Sequence, residues 1–248
     1  KAGITSLFAF MFNQLVILYL RKFIISNYGN DENGIYQSVL GLSMNLFAIL
    51  YSFLGNHTLT QMSMYKIEGK DDPNLVTIIN ETARFILFLI VPLMVIIYSY
   101  REFIILLLYS EKFSDASNLL LYQFIGDCFR VFASLFSLWL FSRMKIKILI
   151  IIDLIFNLSL FILPNIFMIY IQNDLRIVPF AYMVASGIQF LLYFFYTRKA
   201  IKFQFRKETK MSLILSIIVL TAVLLISTYY KNAGIYISLS LLFIWGYI

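Results

Sequence analysis

The chain has one cysteine, Cys128, and one histidine, His57, among 248 residues. A lone cysteine forms no internal disulfide, and one cysteine with one histidine cannot build the usual nitrogen–sulfur zinc site, so disulfide scaffolds and zinc chemistry are set aside. Charge is also scarce: only 13% of residues are Asp, Glu, Lys or Arg, against about 25% in soluble domains. No GxSxG elbow, phosphate-binding loop or dinucleotide fingerprint occurs. Long polar segments are missing too, and the largest polar stretch, Arg198 to Lys210, is far too short to hold a catalytic domain. The adjacent carboxylates Asp71 and Asp72 precede Pro73, which reads as a solvated helix start with acids near the positive end of the dipole. No catalytic residue, cofactor or metal is expected.

What the chain does have is apolar residues, 61% of the total, with 25 Phe and 17 Tyr. They fall in long unbroken runs, unlike the short alternating segments of a membrane barrel. At roughly 20 residues per span, eight candidate helices follow in order: Ile4–Ile25, Ile35–His57, Leu75–Tyr100, Ala116–Phe141, Ile148–Tyr170, Ile177–Tyr196, Met211–Tyr229, and one from Ala233 to the last residue, Ile248. The breaker-rich segment Ser26–Gly34 reads as a loop between the first two. The expected fold is an all-α, polytopic membrane bundle.

Loop charge sets orientation. One set of loops and ends holds twelve basic residues, Lys1, Lys66, Lys70, Arg143, Lys145, Lys147, Arg198, Lys199, Lys202, Arg206, Lys207 and Lys210, and the other holds six. The first set should face the cytoplasm, which puts the start of the first helix there. This bias also accounts for the net charge of +7 without a nucleic-acid partner.

Charges inside the spans are the candidates for function. A lone charge at a bilayer centre costs roughly 2.5–3.5 kcal/mol on insertion scales, so a chain that keeps one has a use for it. Asp127 and Arg130 sit inside the fourth span, Glu81 and Arg84 inside the third, each pair spaced i, i+3 on one helix face. They read either as ion pairs that fix packing or as a polar cavity where Arg84 and Arg130 attract an anionic head group while Asp127 and Glu81 tune it. Arginine suits a pyrophosphate because its planar fork bonds two oxygens at once. Asp153 in the fifth span reads as local capping or snorkelling. Asn13, Gln14, Asn45, Asn56, His57 and Gln61 read as makers of interhelical hydrogen bonds.

Three segments carry a further signal: GNDENGIYQSV after the first span, LLLYSEKFSDASNLLLYQFIGD leading into the fourth, and FSLWLFSRMK at its end. In order and spacing, with Gly34, Tyr36 and Gln37 and then Gln123, Gly126 and Asp127, they resemble the second half of Wzx-type O-antigen and enterobacterial common antigen flippases of the multidrug/oligosaccharidyl-lipid/polysaccharide exporter superfamily. The resemblance covers residues 1–200. It implies two lobes around a cationic cavity, with residues 1–200 as the second six-helix lobe and 201–248 as a basic cytoplasmic loop plus two extra helices. It also implies that the chain is a fragment whose partner is a missing N-terminal lobe. The implied substrate is an undecaprenyl-pyrophosphate-linked oligosaccharide, carried by alternating access across the bacterial cytoplasmic (inner) membrane alongside other polysaccharide-assembly proteins. Arg84, Arg130, Asp127 and Glu81 are the substrate-binding candidates. The competing readings are an ion-coupled drug exporter of the same superfamily, a membrane enzyme of polysaccharide assembly, and a structural fragment with no transport of its own.

Overall fold

The computed structural model describes residues 2–64, 73–171 and 174–229, with side chains described from residue 11 to residue 223 of these. Among the described residues the chain is helical throughout, without strands: α1 (Ala2–Tyr28), α2 (Asn30–Phe53), α3 (Leu59–Met64), α4 (Pro73–Ser99), α5 (Arg101–Leu108), α6 (Ala116–Ser142), α7 (Ile146–Tyr170), α8 (Ile177–Ile201) and α9 (Lys207–Tyr229). The rod from Asn30 to Met64 and helices α4, α6, α7 and α8 are each long and apolar enough to cross a membrane. Large apolar side chains such as Ile49, Leu107 and Ile169 stay exposed on the outer surface. A surface of that kind belongs in lipid, and the chain is a multi-pass helical membrane protein.

Helices stand at the first seven expected spans, with shifted ends, and five of them meet the length and hydropathy of a membrane crossing; the eighth lies outside the described residues. The expected loop Ser26–Gly34 is a correction: only Gly29 breaks the helices on either side. Its φ of +104° is open to glycine at little steric cost, and its N–H donates to the carbonyl oxygens of Ile25 at 3.1 Å and Ile24 at 3.3 Å, closing α1. Asn30, Asp31 and Glu32 then form the first turn of α2, where acidic groups meet the positive end of the helix dipole. Further along, α2 passes without interruption through a π-helical turn, Leu54–Thr58, into α3.

The basic segment after α8 is also more ordered than a loop. Helix α8 runs on to Ile201, and residues 202–206 form an extended strap before α9. Phe203, fully buried, lies against Phe136 of α6, and Phe205 stacks on Phe194 of α8 at 5.6 Å. The strap is tied to α4 by two side chains: Asn80 Nδ2 donates to the Gln204 carbonyl at 3.2 Å, the Arg206 N–H donates to Asn80 Oδ1 at 2.9 Å, and the Arg206 guanidinium donates to Thr77 Oγ1 at 2.6 Å. A fully paired amide is what burial of Asn80 requires.

Helices α1, α2, α6, α8 and α7 close a ring, each packed on the next, with α7 returning to α1. Helix α4 packs outside α6, and α9 outside α4. The interior of this ring positions the site.

Candidate functional site

Helix α6 brings Asp127 and Arg130 to the inside of the ring, but the two do different things. Asp127 is only 5% exposed. Its carboxylate accepts from Ser43 Oγ of α2 at 2.5 Å and from the Tyr182 hydroxyl of α8 at 2.7 Å. No ion pair joins it to Arg130 among the described residues. Two hydroxyls from two neighbouring helices therefore hold a buried acid, and that acid ties α2, α6 and α8 together.

Arg130 instead lines a cavity of about 470 Å³. Its guanidinium carbon lies 5.0 Å above the Phe156 ring of α7, a cation–π contact that is strong where water is excluded. The cavity wall comes from α1 (Asn13), α6, α7 (Asp153, Asn157) and α8 (Gln189, Tyr193). It starts at the depth of Arg130, about 18 Å from the end of α6 at 1.5 Å per residue, and extends to Phe141 and Ile146 beside the α6–α7 turn.

Asp153 is a second correction. It is not a cap but part of the cavity wall, and its Oδ1 accepts from Gln189 Nε2 and the Tyr193 hydroxyl, both at 2.9 Å, across to α8. Asn13 Nδ2 donates to Asn157 Oδ1 at 2.8 Å, and Asn157 Nδ2 donates to the Asp153 carbonyl at 2.8 Å. The expected interhelical role of Asn13 is met here. Asn45, Asn56, His57 and Gln61 are exposed, and the Asn56 side-chain amide donates to Ser52 Oγ on the same continuous helix, not across to a neighbour.

Glu81 and Arg84 are exposed on α4, without an ion pair between them among the described residues. No residue of α4 lines the Arg130 cavity. The structure thus keeps Asp127 and Arg130 inside the ring, with only Arg130 on the cavity wall, and leaves Arg84 and Glu81 on a different surface. Sequence reasoning missed Gln189, Tyr193 and Tyr182, because polar-tipped residues in an apolar helix read as interface belt until the facing helix is known.

At the cavity mouth, Met144 takes a φ of +54° to turn the chain. Lys145 lies over the Trp139 ring at 4.7 Å, and Trp139 Nε1 donates to Thr197 Oγ1 at 2.7 Å. At the opposite end, between α7 and α8, Arg176 grips Asp174 Oδ2 through Nε at 2.8 Å and a terminal nitrogen at 2.6 Å. That hydrogen-bonded guanidinium holds the Asp174 carboxyl below the usual carboxylate range. No cluster of three or more His, Cys, Asp or Glu side chains fit for a metal ion occurs among the described residues.

The chemistry the cavity offers is recognition: one guanidinium, one carboxylate and a set of amides around a hollow, with no activated nucleophile among the described residues. Comparison with known proteins gives one family match and one fold match. Residues 3–118 match the family described as "Polysaccharide biosynthesis protein". No curated protein matches by sequence. The fold matches a lipid II flippase, MurJ, in an inward closed conformation, with a TM-score of 0.73 at 19% identity. The match covers 96% of this chain and 51% of that one, so the chain spans about half the flippase's length. The chain carries the polysaccharide biosynthesis signature over residues 3–118, a little under half of its length, and is similar in fold to a lipid II flippase.

Proposed function

We propose that this chain is the second lobe of a transporter that moves an undecaprenyl-pyrophosphate-linked oligosaccharide, an O-antigen or similar surface glycan unit, across the bacterial inner membrane. The observation that carries this reading is the Arg130 guanidinium on the wall of a polar cavity at mid-membrane depth. A diphosphate is the anion its fork fits, and Asn13, Asn157 and Gln189 offer amides that suit sugar hydroxyls. The loop-charge bias would open the cavity toward the cytoplasm, where such a lipid is made. Residues 1–200 act with a first lobe, and 201–248 supply two more helices. Arg84 and Glu81 serve as a separate contact on the outer face of α4. The protein acts as a transporter and not as an enzyme.

Arg130→Ala should abolish glycan export in cells while protein levels hold. Normal export by that variant would remove Arg130 from the site. A second reading, an ion-coupled small-molecule exporter, is favoured by one observation, the Asp153 carboxylate in the same cavity. A drug-accumulation assay separates the two: exporter activity would make cells lacking the protein accumulate cationic dyes, whereas glycan transport would leave accumulation unchanged.

A further inference from the structure

We infer that Tyr182 is the positioning residue for Arg130, and that the Gly126-Asp127 pair exists to seat this tyrosine. The inference rests on the reading of Arg130 as the head-group contact. It starts from a close approach. A Cβ built on Gly126 would lie 2.6 and 2.7 Å from two ring carbons of Tyr182 and 3.1 Å from the Met183 backbone. Only glycine lets α8 come this near to α6.

With its ring on Gly126, Tyr182 points its hydroxyl at Asp127 Oδ1, 2.7 Å away. The phenolic proton is therefore committed to the carboxylate. A phenol that donates one bond keeps lone pairs to accept another, and a guanidinium can only donate. Arg130 lies in electrostatic reach of that oxygen, as it does of Tyr51 and Asp127. Phe156 completes the seat: its face lies under the guanidinium at 5.0 Å, and its ring stands edge-on to Tyr182 at 6.4 Å.

The arrangement has a physical logic. A direct Asp127–Arg130 ion pair would neutralise the arginine and occupy its fork. The interposed tyrosine takes up the carboxylate and orients the guanidinium, while leaving its charge and remaining N–H groups for an anion in the cavity. Tyr182 touches no cavity space of its own; it acts through Arg130.

The test uses the full chain in lipid nanodiscs and two readouts. The first is the side-chain ¹⁵N–¹H resonance of Arg130, identified by its loss in Arg130→Lys. Tyr182→Phe keeps the ring on Gly126 and removes the oxygen, so it should shift and broaden this resonance. Ser43→Ala removes the other hydroxyl from the same carboxylate and should leave the resonance in place. An unmoved resonance in Tyr182→Phe, or equal changes in the two variants, overturns the inference. The second readout is binding of farnesyl diphosphate, which should weaken about tenfold in Tyr182→Phe, as for loss of one hydrogen bond to a charged group, whereas in an Arg130→Lys background Tyr182→Phe should weaken it no further. Additive losses would also overturn it. If the resonance moves but Arg130→Lys binds farnesyl diphosphate normally, the head-group reading fails while the positioning role stands.

Discussion

At the scale of the residue, environment decides between acids of the same type. Asp127 is buried and held by two hydroxyls, Asp153 shares a cavity wall with Arg130, and Asp174 is clamped by an exposed arginine at a helix end. Each state has a consequence. Gly126→Ala should lower the thermal midpoint, because its Cβ meets the Tyr182 ring at 2.6 Å and overpacking of this kind typically costs about 1–3 kcal/mol. A melt of the purified variant checks it. For Asp174 the sign is fixed by its lowered folded-state pKa. Its pairing adds stability above the unfolded carboxylate value of about 3.9 and loses it as pH falls through the lower folded value. Asp174→Asn should therefore melt slightly below the parent at neutral pH and level with it in strong acid. The deficit stays small because Arg176 is exposed.

At the scale of the element, long apolar periods made the helices readable, and packing decided the rest. The ends of α4, α6, α7 and α8 fall close to their expected places because the bilayer's thickness fixes how long an apolar run must be. The Ser26–Gly34 segment misled because its polar residues suit a helix's first turn as well as a loop, and one glycine suffices for the reversal. The strap at 202–206 was hidden for another reason: Asn80, which holds it, is more than 120 residues away in sequence. Asn80→Ala should free that strap. Asn80 is itself buried, and losing its two part-buried bonds to the strap should cost about 1–3 kcal/mol and speed hydrogen exchange at the Arg206 amide. An amide still protected in the variant would mean that Phe203, Phe205 and the Arg206–Thr77 bond hold the strap without it.

At the scale of the whole molecule, the site was half legible. Arg130 and Asp127 stood out because charges in hydrocarbon are expensive. That Asn13, Asp153, Gln189 and Tyr193 would meet Arg130, and that Arg84 and Glu81 would not, depends on which helix faces close the ring, and periodicity within one helix does not encode its neighbours. Orientation remains a property of the assembled molecule. In a chain with Cys128→Ala, a cysteine at Lys210 should react with impermeant maleimide from the cytoplasmic side only, and one at Lys112 from the opposite side only; both positions are exposed. The reverse pattern would invert the cavity's opening. The central claim is that the Arg130 cavity carries a diphosphate lipid across the bilayer. It is tested most directly by the initial rate at which a fluorescent undecaprenyl-diphosphate sugar crosses the membrane of proteoliposomes containing the full chain and its partner lobe. The account predicts that Arg130→Ala brings that rate down to the protein-free background, whereas transport at the parental rate by a folded Arg130→Ala variant would contradict it.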